Sequence, residues 1–112
     1  MAVMIKTSAP QKLLDAIYAA IDDGDIETWA YDDDGDFSHV TSDGQWEGEA
    51  WLHPKVGTGA LVLTTIPPKD SHVTTEAYAV YHGRFIEMVL AHFDNQFSDA
   101  TATARPTVND GI

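Results

Sequence analysis

The stretch Thr28-Trp29-Ala30-Tyr31-Asp32-Asp33-Asp34-Gly35-Asp36-Phe37-Ser38-His39-Val40-Thr41 decides the fold. Two short runs of strand-forming residues flank a polar, glycine-containing cluster, the pattern of a β-hairpin. A two-residue turn at Asp34-Gly35 would set Asp33 against Asp36 and send Tyr31 and Phe37 to opposite faces. A three-residue loop with a left-handed Gly35 instead pairs Asp32 with Asp36, Tyr31 with Phe37 and Trp29 with His39. This second register gathers the aromatic rings on one face and is the one predicted, although it leaves two acids opposed.

Downstream, Ser42-Asp43-Gly44 reads as a turn and residues 45–56 as a third strand. In that strand Trp46, Gly48, Ala50 and Leu52 share one face, and Glu47, Glu49, Trp51 and His53 the other. Gly57-Thr58-Gly59 leads to a fourth strand, Ala60 to Ile66, which Pro67-Pro68 ends because proline cannot donate to a ladder. This uncharged strand closes the meander and is expected to be an edge, which something must cover. One candidate cover is the N-terminal run Ala2-Val3-Met4-Ile5. The other, preferred here, is strand 60–66 of a second copy in a two-fold homodimer.

A helix precedes the hairpin. Ser8-Ala9-Pro10-Gln11 fits a capping box with proline in the first turn. Leu13, Leu14, Ile17, Ala20 and Ile21 follow at helical spacing, and Gly24 closes the helix. A second helix is predicted over 75–93 behind an N-cap at Thr74, with Tyr78, Tyr81, Phe85, Met88, Val89 and His92 recurring every three or four residues. Gly83 lies in its middle, where close backbone approach to the sheet or the first helix would compensate its poor helix propensity. The fold class is therefore α+β: a two-layer sandwich of helix, four-stranded antiparallel meander and helix. It is one domain over residues 1–97, with 98–112 as a loose tail. Leu14, Ile17, Ile21, Phe85, Met88 and Val89 are expected in its core.

The chain has 112 residues, with 18 acidic against 6 basic side chains, a net charge of −12 and no cysteine. The absence of cysteine excludes disulfides, thiolate metal sites and thiol nucleophiles. Six scattered basic residues make no surface for nucleic acid or for an anionic membrane. No apolar run approaches the roughly 20 residues of a membrane helix. No charged leader precedes a long apolar stretch, so the expected compartment is the cytoplasm. No G-x-S-x-G, phosphate-loop or H-E-x-x-H motif occurs, and no cofactor is expected.

Between Asp22 and Glu49 stand 11 acids and no Lys or Arg. An EF-hand loop fails here: with Gly35 as its sixth residue Ala30 falls first, and with Gly44 His39 falls first and Ala50 twelfth. Asp32, Asp33, Asp34 and Asp36 are expected to be solvent-exposed and to hold no metal tightly. With Asp43, Glu47 and Glu49 they are the candidate surface for a basic protein partner. His39, His53, His72, His82 and His92 show no His-x-His or His-x-x-x-His spacing. His82 and His92 are expected at the core edge of the second helix. A possible pocket between that helix and the sheet would draw on Trp29, Tyr31, Tyr81, His82 and Arg84. Arg84 is otherwise expected to pair with a hairpin acid or cap a carbonyl.

The segments Glu27-Thr28-Trp29-Ala30-Tyr31-Asp32-Asp33-Asp34-Gly35-Asp36-Phe37-Ser38-His39 and Tyr81-His82-Gly83-Arg84-Phe85-Ile86-Glu87-Met88-Val89-Leu90-Ala91-His92-Phe93-Asp94 resemble parts of a group of small uncharacterised bacterial proteins. The resemblance implies no activity and no functional residue. Two function classes follow from the residues. One is a small acidic non-enzymatic module docking a basic protein surface, as an inhibitor, an immunity-type protein or a nucleic-acid mimic. The other is a small-molecule binder or enzyme using the pocket.

Overall fold

A computed structural model describes residues 3–105. These form β1 (Val3–Lys6), α1 (Pro10–Asp22), β2 (Trp29–Tyr31), β3 (Phe37–His39), β4 (Trp51–Gly57), β5 (Ala60–Ile66), α2 (Thr75–Phe93) and β6 (Asp99–Ala102). The strands make one six-stranded antiparallel sheet in the order β2-β3-β4-β5-β1-β6. The fold is α+β, and the predicted meander survives as β2 to β5, extended by two further strands.

The hairpin takes the three-residue register. Trp29 pairs with His39 and Tyr31 with Phe37. The Asp32 amide donates to the Asp36 carbonyl at 3.1 Å, and Gly35 has a φ of +81°. The third strand, by contrast, begins at Trp51 rather than at residue 45. Successive turns occupy the intervening segment, with Gly44 and Gly48 at φ of +69° and +72°. Two glycines among polar residues favour turns over a ladder.

The outer edge of β5 pairs with β1 through Val3, Met4, Ile5 and Lys6 of the same chain. With β4 on its other side, β5 offers no free edge, which removes the route expected for a homodimer through 60–66. β1 also pairs with β6, so Asp99–Ala102 is a strand and not loose tail. Residues 106–112 of that predicted tail lie outside the described residues.

Helix ends follow partly expected rules. Gly24 adopts φ +82°, its amide reaches the Ile21 carbonyl and the Asp25 amide the Ala20 carbonyl, a Schellman closure. Thr74 caps α2 by accepting from the Ala77 amide at 3.0 Å. At the start of α1 the expected capping box is absent. Ala9 is the N-cap without a side-chain bond, and Gln11 turns forward to Asp15. Thr7 takes over locally, accepting from the Ala9 amide and donating to the Gln96 carbonyl.

Both helices cover one face of the sheet. Val3, Ile5, Phe37, Leu52, Leu61 and Leu63 point into the core, where they meet Leu13 and Ile17 of α1 and Phe85 and Val89 of α2. Phe37 joins the two helices, with its ring 5.1 Å from Tyr18 and 5.3 Å from Phe85. Leu14 and Met88 are buried as expected, whereas Ile21 is only half-buried. Gly83 does not face a close neighbour. It is exposed, and a Cβ there would have nothing within 4 Å. Among the described residues no helix is long and apolar enough to cross a membrane.

Candidate functional site

Ten of the 11 acids between 22 and 49 are exposed, and they lie in the segments that flank β2 and β3, with β2 the edge strand of the sheet. Two tyrosines make this arrangement. The Tyr31 hydroxyl donates to Asp22 at 2.7 Å, tying the end of α1 to β2. The Tyr18 hydroxyl donates to the Gly35 carbonyl at 2.7 Å, tying the middle of α1 to the hairpin turn. Their rings lie 4.5 Å apart. Tyr31 thus holds Asp22 against β2, next to the turn of Asp32, Asp33 and Asp34, and these acids form a rim. The bond to Asp22 raises the Tyr31 pKa above 10, and burial followed by the charge of Asp36 does the same for Tyr18.

Asp36 is the exception to the expected exposure. It is 9% exposed and accepts from His53 Nδ1 across the sheet. The carboxylates of Asp32, Asp34 and Asp36 lie within 4.8 Å of one another. Asp32 Oδ1 accepts from the amides of Asp34 and Asp36, each at 3.0 Å. These bonds explain how the turn tolerates the crowding of charge.

Asp43, Glu47 and Glu49 are exposed on the turns between β3 and β4. Asp43 accepts from the Thr41 hydroxyl and the Gln45 amide, and these two bonds hold its pKa below the usual carboxylate value. Tyr81 anchors this segment from α2, its hydroxyl donating to the Trp46 carbonyl and lying 3.2 Å from Ser38 Oγ. Burial pushes its pKa upward.

Of the five predicted pocket residues, Trp29 and Arg84 line one groove, and Tyr31, Tyr81 and His82 lie outside its lining. Trp29 and Tyr81 are core residues in edge-to-face contact, with centroids 5.6 Å apart. His82 is buried, with Nδ1 on the Tyr78 carbonyl and Nε2 2.8 Å from the Thr65 hydroxyl, so it lies deeper than the predicted core edge. His92 is exposed. Tyr31 belongs to the rim. Among the described residues Arg84 pairs with no hairpin acid and caps no carbonyl. Its Nη1 donates to His39 Nε2 at 2.9 Å.

A groove of about 380 Å³ lies beside this contact, lined by Trp29, His39, Thr41, Arg84, Glu87 and Met88 among others. The Thr28 carbonyl can only accept, so His39 Nδ1 carries the proton at 2.8 Å. Its Nε2 then offers a lone pair to Arg84. Burial lowers the His39 pKa below 6.5, in agreement with a neutral ring. His39 and Glu87 were absent from the predicted pocket. Their signals were the hairpin register, which sets His39 beside Trp29, and the three-residue spacing from Arg84 to Glu87.

No family model, curated protein or solved structure matches this chain.

Proposed function

We propose that this protein is a small acidic non-enzymatic binding module whose rim around β2 docks a basic protein surface. One observation carries the reading: the 11 acids flank β2 and β3, the two strands at one edge of the sheet, and Asp36 alone among them is buried. Concentrated like charge destabilises a compact chain and steers oppositely charged partners. An inhibitor, an immunity-type protein or a nucleic-acid mimic has this character. The test compares capture from native lysate by the parent and by a variant with Asp23, Asp25, Asp33 and Asp34 changed to Asn. The expected result is capture of basic proteins at low salt, lost at high salt and lost with the variant. Equal capture by both chains would contradict the proposal.

A small-molecule binder or enzyme is the second reading. The groove beside Arg84 favours it; it lies along α2 and the start of the hairpin, with Trp29 and Arg84 of the five residues first expected in its lining.

A further inference from the structure

We propose that the groove beside Arg84 takes a small zwitterion of the amino-acid class, its carboxylate on Arg84 and its ammonium on Glu87. This inference rests on the second reading above and gives it a ligand.

The argument starts from what holds Arg84. In a chain with 18 acidic side chains, this guanidinium makes no ion pair within 4.0 Å among the described residues. It is fixed instead by a neutral imidazole, His39, which is 2% exposed and itself locked by the Thr28 carbonyl. A neutral acceptor orients the guanidinium without cancelling its charge. The other N–H groups stay available for a carboxylate, which guanidinium binds bidentately.

Glu87 supplies the second charge. It stands three residues further along α2, so the two side chains leave the same helix face with Cβ atoms roughly 5–6 Å apart. Both line the groove without pairing to each other, and the charges of both act on His39. A simple anion would meet repulsion from Glu87, and from Asp43, on which the charge of Arg84 already acts. A simple amine would meet repulsion from Arg84. A molecule carrying both charged groups on one carbon satisfies the pair. Trp29 and Met88 offer an apolar wall for its side chain. The groove, at about 380 Å³, fits a ligand of this size.

The test is a titration of the full ¹⁵N-labelled chain with L-leucine, with 3-methylbutylamine, which lacks the carboxylate, and with 4-methylpentanoate, which lacks the amine. L-Leucine should shift the Trp29 indole resonance in a saturable way. Each analogue should bind at least about tenfold more weakly, and Arg84→Gln and Glu87→Gln should each weaken L-leucine by a similar factor. Both side chains are exposed, and unchanged thermal melts will show that the variants fold. Equal binding of an analogue and L-leucine would overturn the zwitterion while leaving a ligand groove. No saturable shift with any of the three compounds would overturn the groove as a small-molecule site as well.

Discussion

Gly35 holds the hairpin turn at a φ of +81°, and a Cβ placed there would meet the Tyr18 hydroxyl at 2.7 Å. Gly35→Ala therefore strains the turn and disturbs the bond between α1 and the hairpin. Chemical denaturation should show a loss of about 1–3 kcal/mol, with no loss if the turn does not need this conformation. His39 makes a second testable residue. Burial sets its native pKa below 6.5, so the unfolded chain binds the proton first as pH falls. The stability due to neutral His39 is complete above about pH 6.5 and is lost as pH drops through the native value. Melting temperatures between pH 8 and pH 5 should fall less steeply for His39→Gln than for the parent. The left-handed Gly35 and the Trp29–His39 pairing were legible in the sequence, because a turn glycine and two-residue periodicity fix them locally. The Arg84–His39 bond was not, since it joins residues 45 positions apart through packing of α2 on β3. The burial of Asp36 was also hidden, because it depends on His53 arriving from β4.

At the scale of elements, α2 was read with its ends correct because cap and apolar stripe agree. Thr74 supplies the cap, and Tyr78, Tyr81, Phe85, Met88, Val89 and Phe93 are buried. Its glycine was misread, since sequence alone cannot distinguish a glycine that permits close approach from one with open space. Gly83→Ala should stabilise the fold by about 1 kcal/mol, seen as a higher denaturation midpoint. Phe85→Ala should lose about 3–5 kcal/mol, because that ring contacts both Trp29 and Phe37 at the centre of the core. A variant melting with the parent would show that α2 packs through another face. Asp99–Ala102 escaped notice because its small residues carry little strand signal. It is a strand through backbone pairing with β1 on an outer edge, which needs no apolar side chains. The Gln45–Ala50 turns were mistaken for strand because Trp46 and Ala50 mimic an alternating face around Gly44 and Gly48.

At the scale of the molecule, β1 completes the sheet by filling the edge that the uncharged β5 would otherwise expose. The sequence named this segment as a candidate cover but did not rank it first, since intrachain and intermolecular pairing use the same backbone groups. The acid-rich stretch was fully visible in composition. The approach of Asp22 to the hairpin was not, because that depends on Tyr18 and Tyr31 tying α1 to the hairpin. The central claim is that this rim is the docking surface. The most direct measurement maps amide resonance shifts of the labelled chain on addition of a basic protein captured by it. The account predicts shifts concentrated in residues 22–49 that vanish at high salt and in the Asp23, Asp25, Asp33 and Asp34 to Asn variant. Shifts centred elsewhere on the sheet or helices, or shifts indifferent to salt, would contradict it.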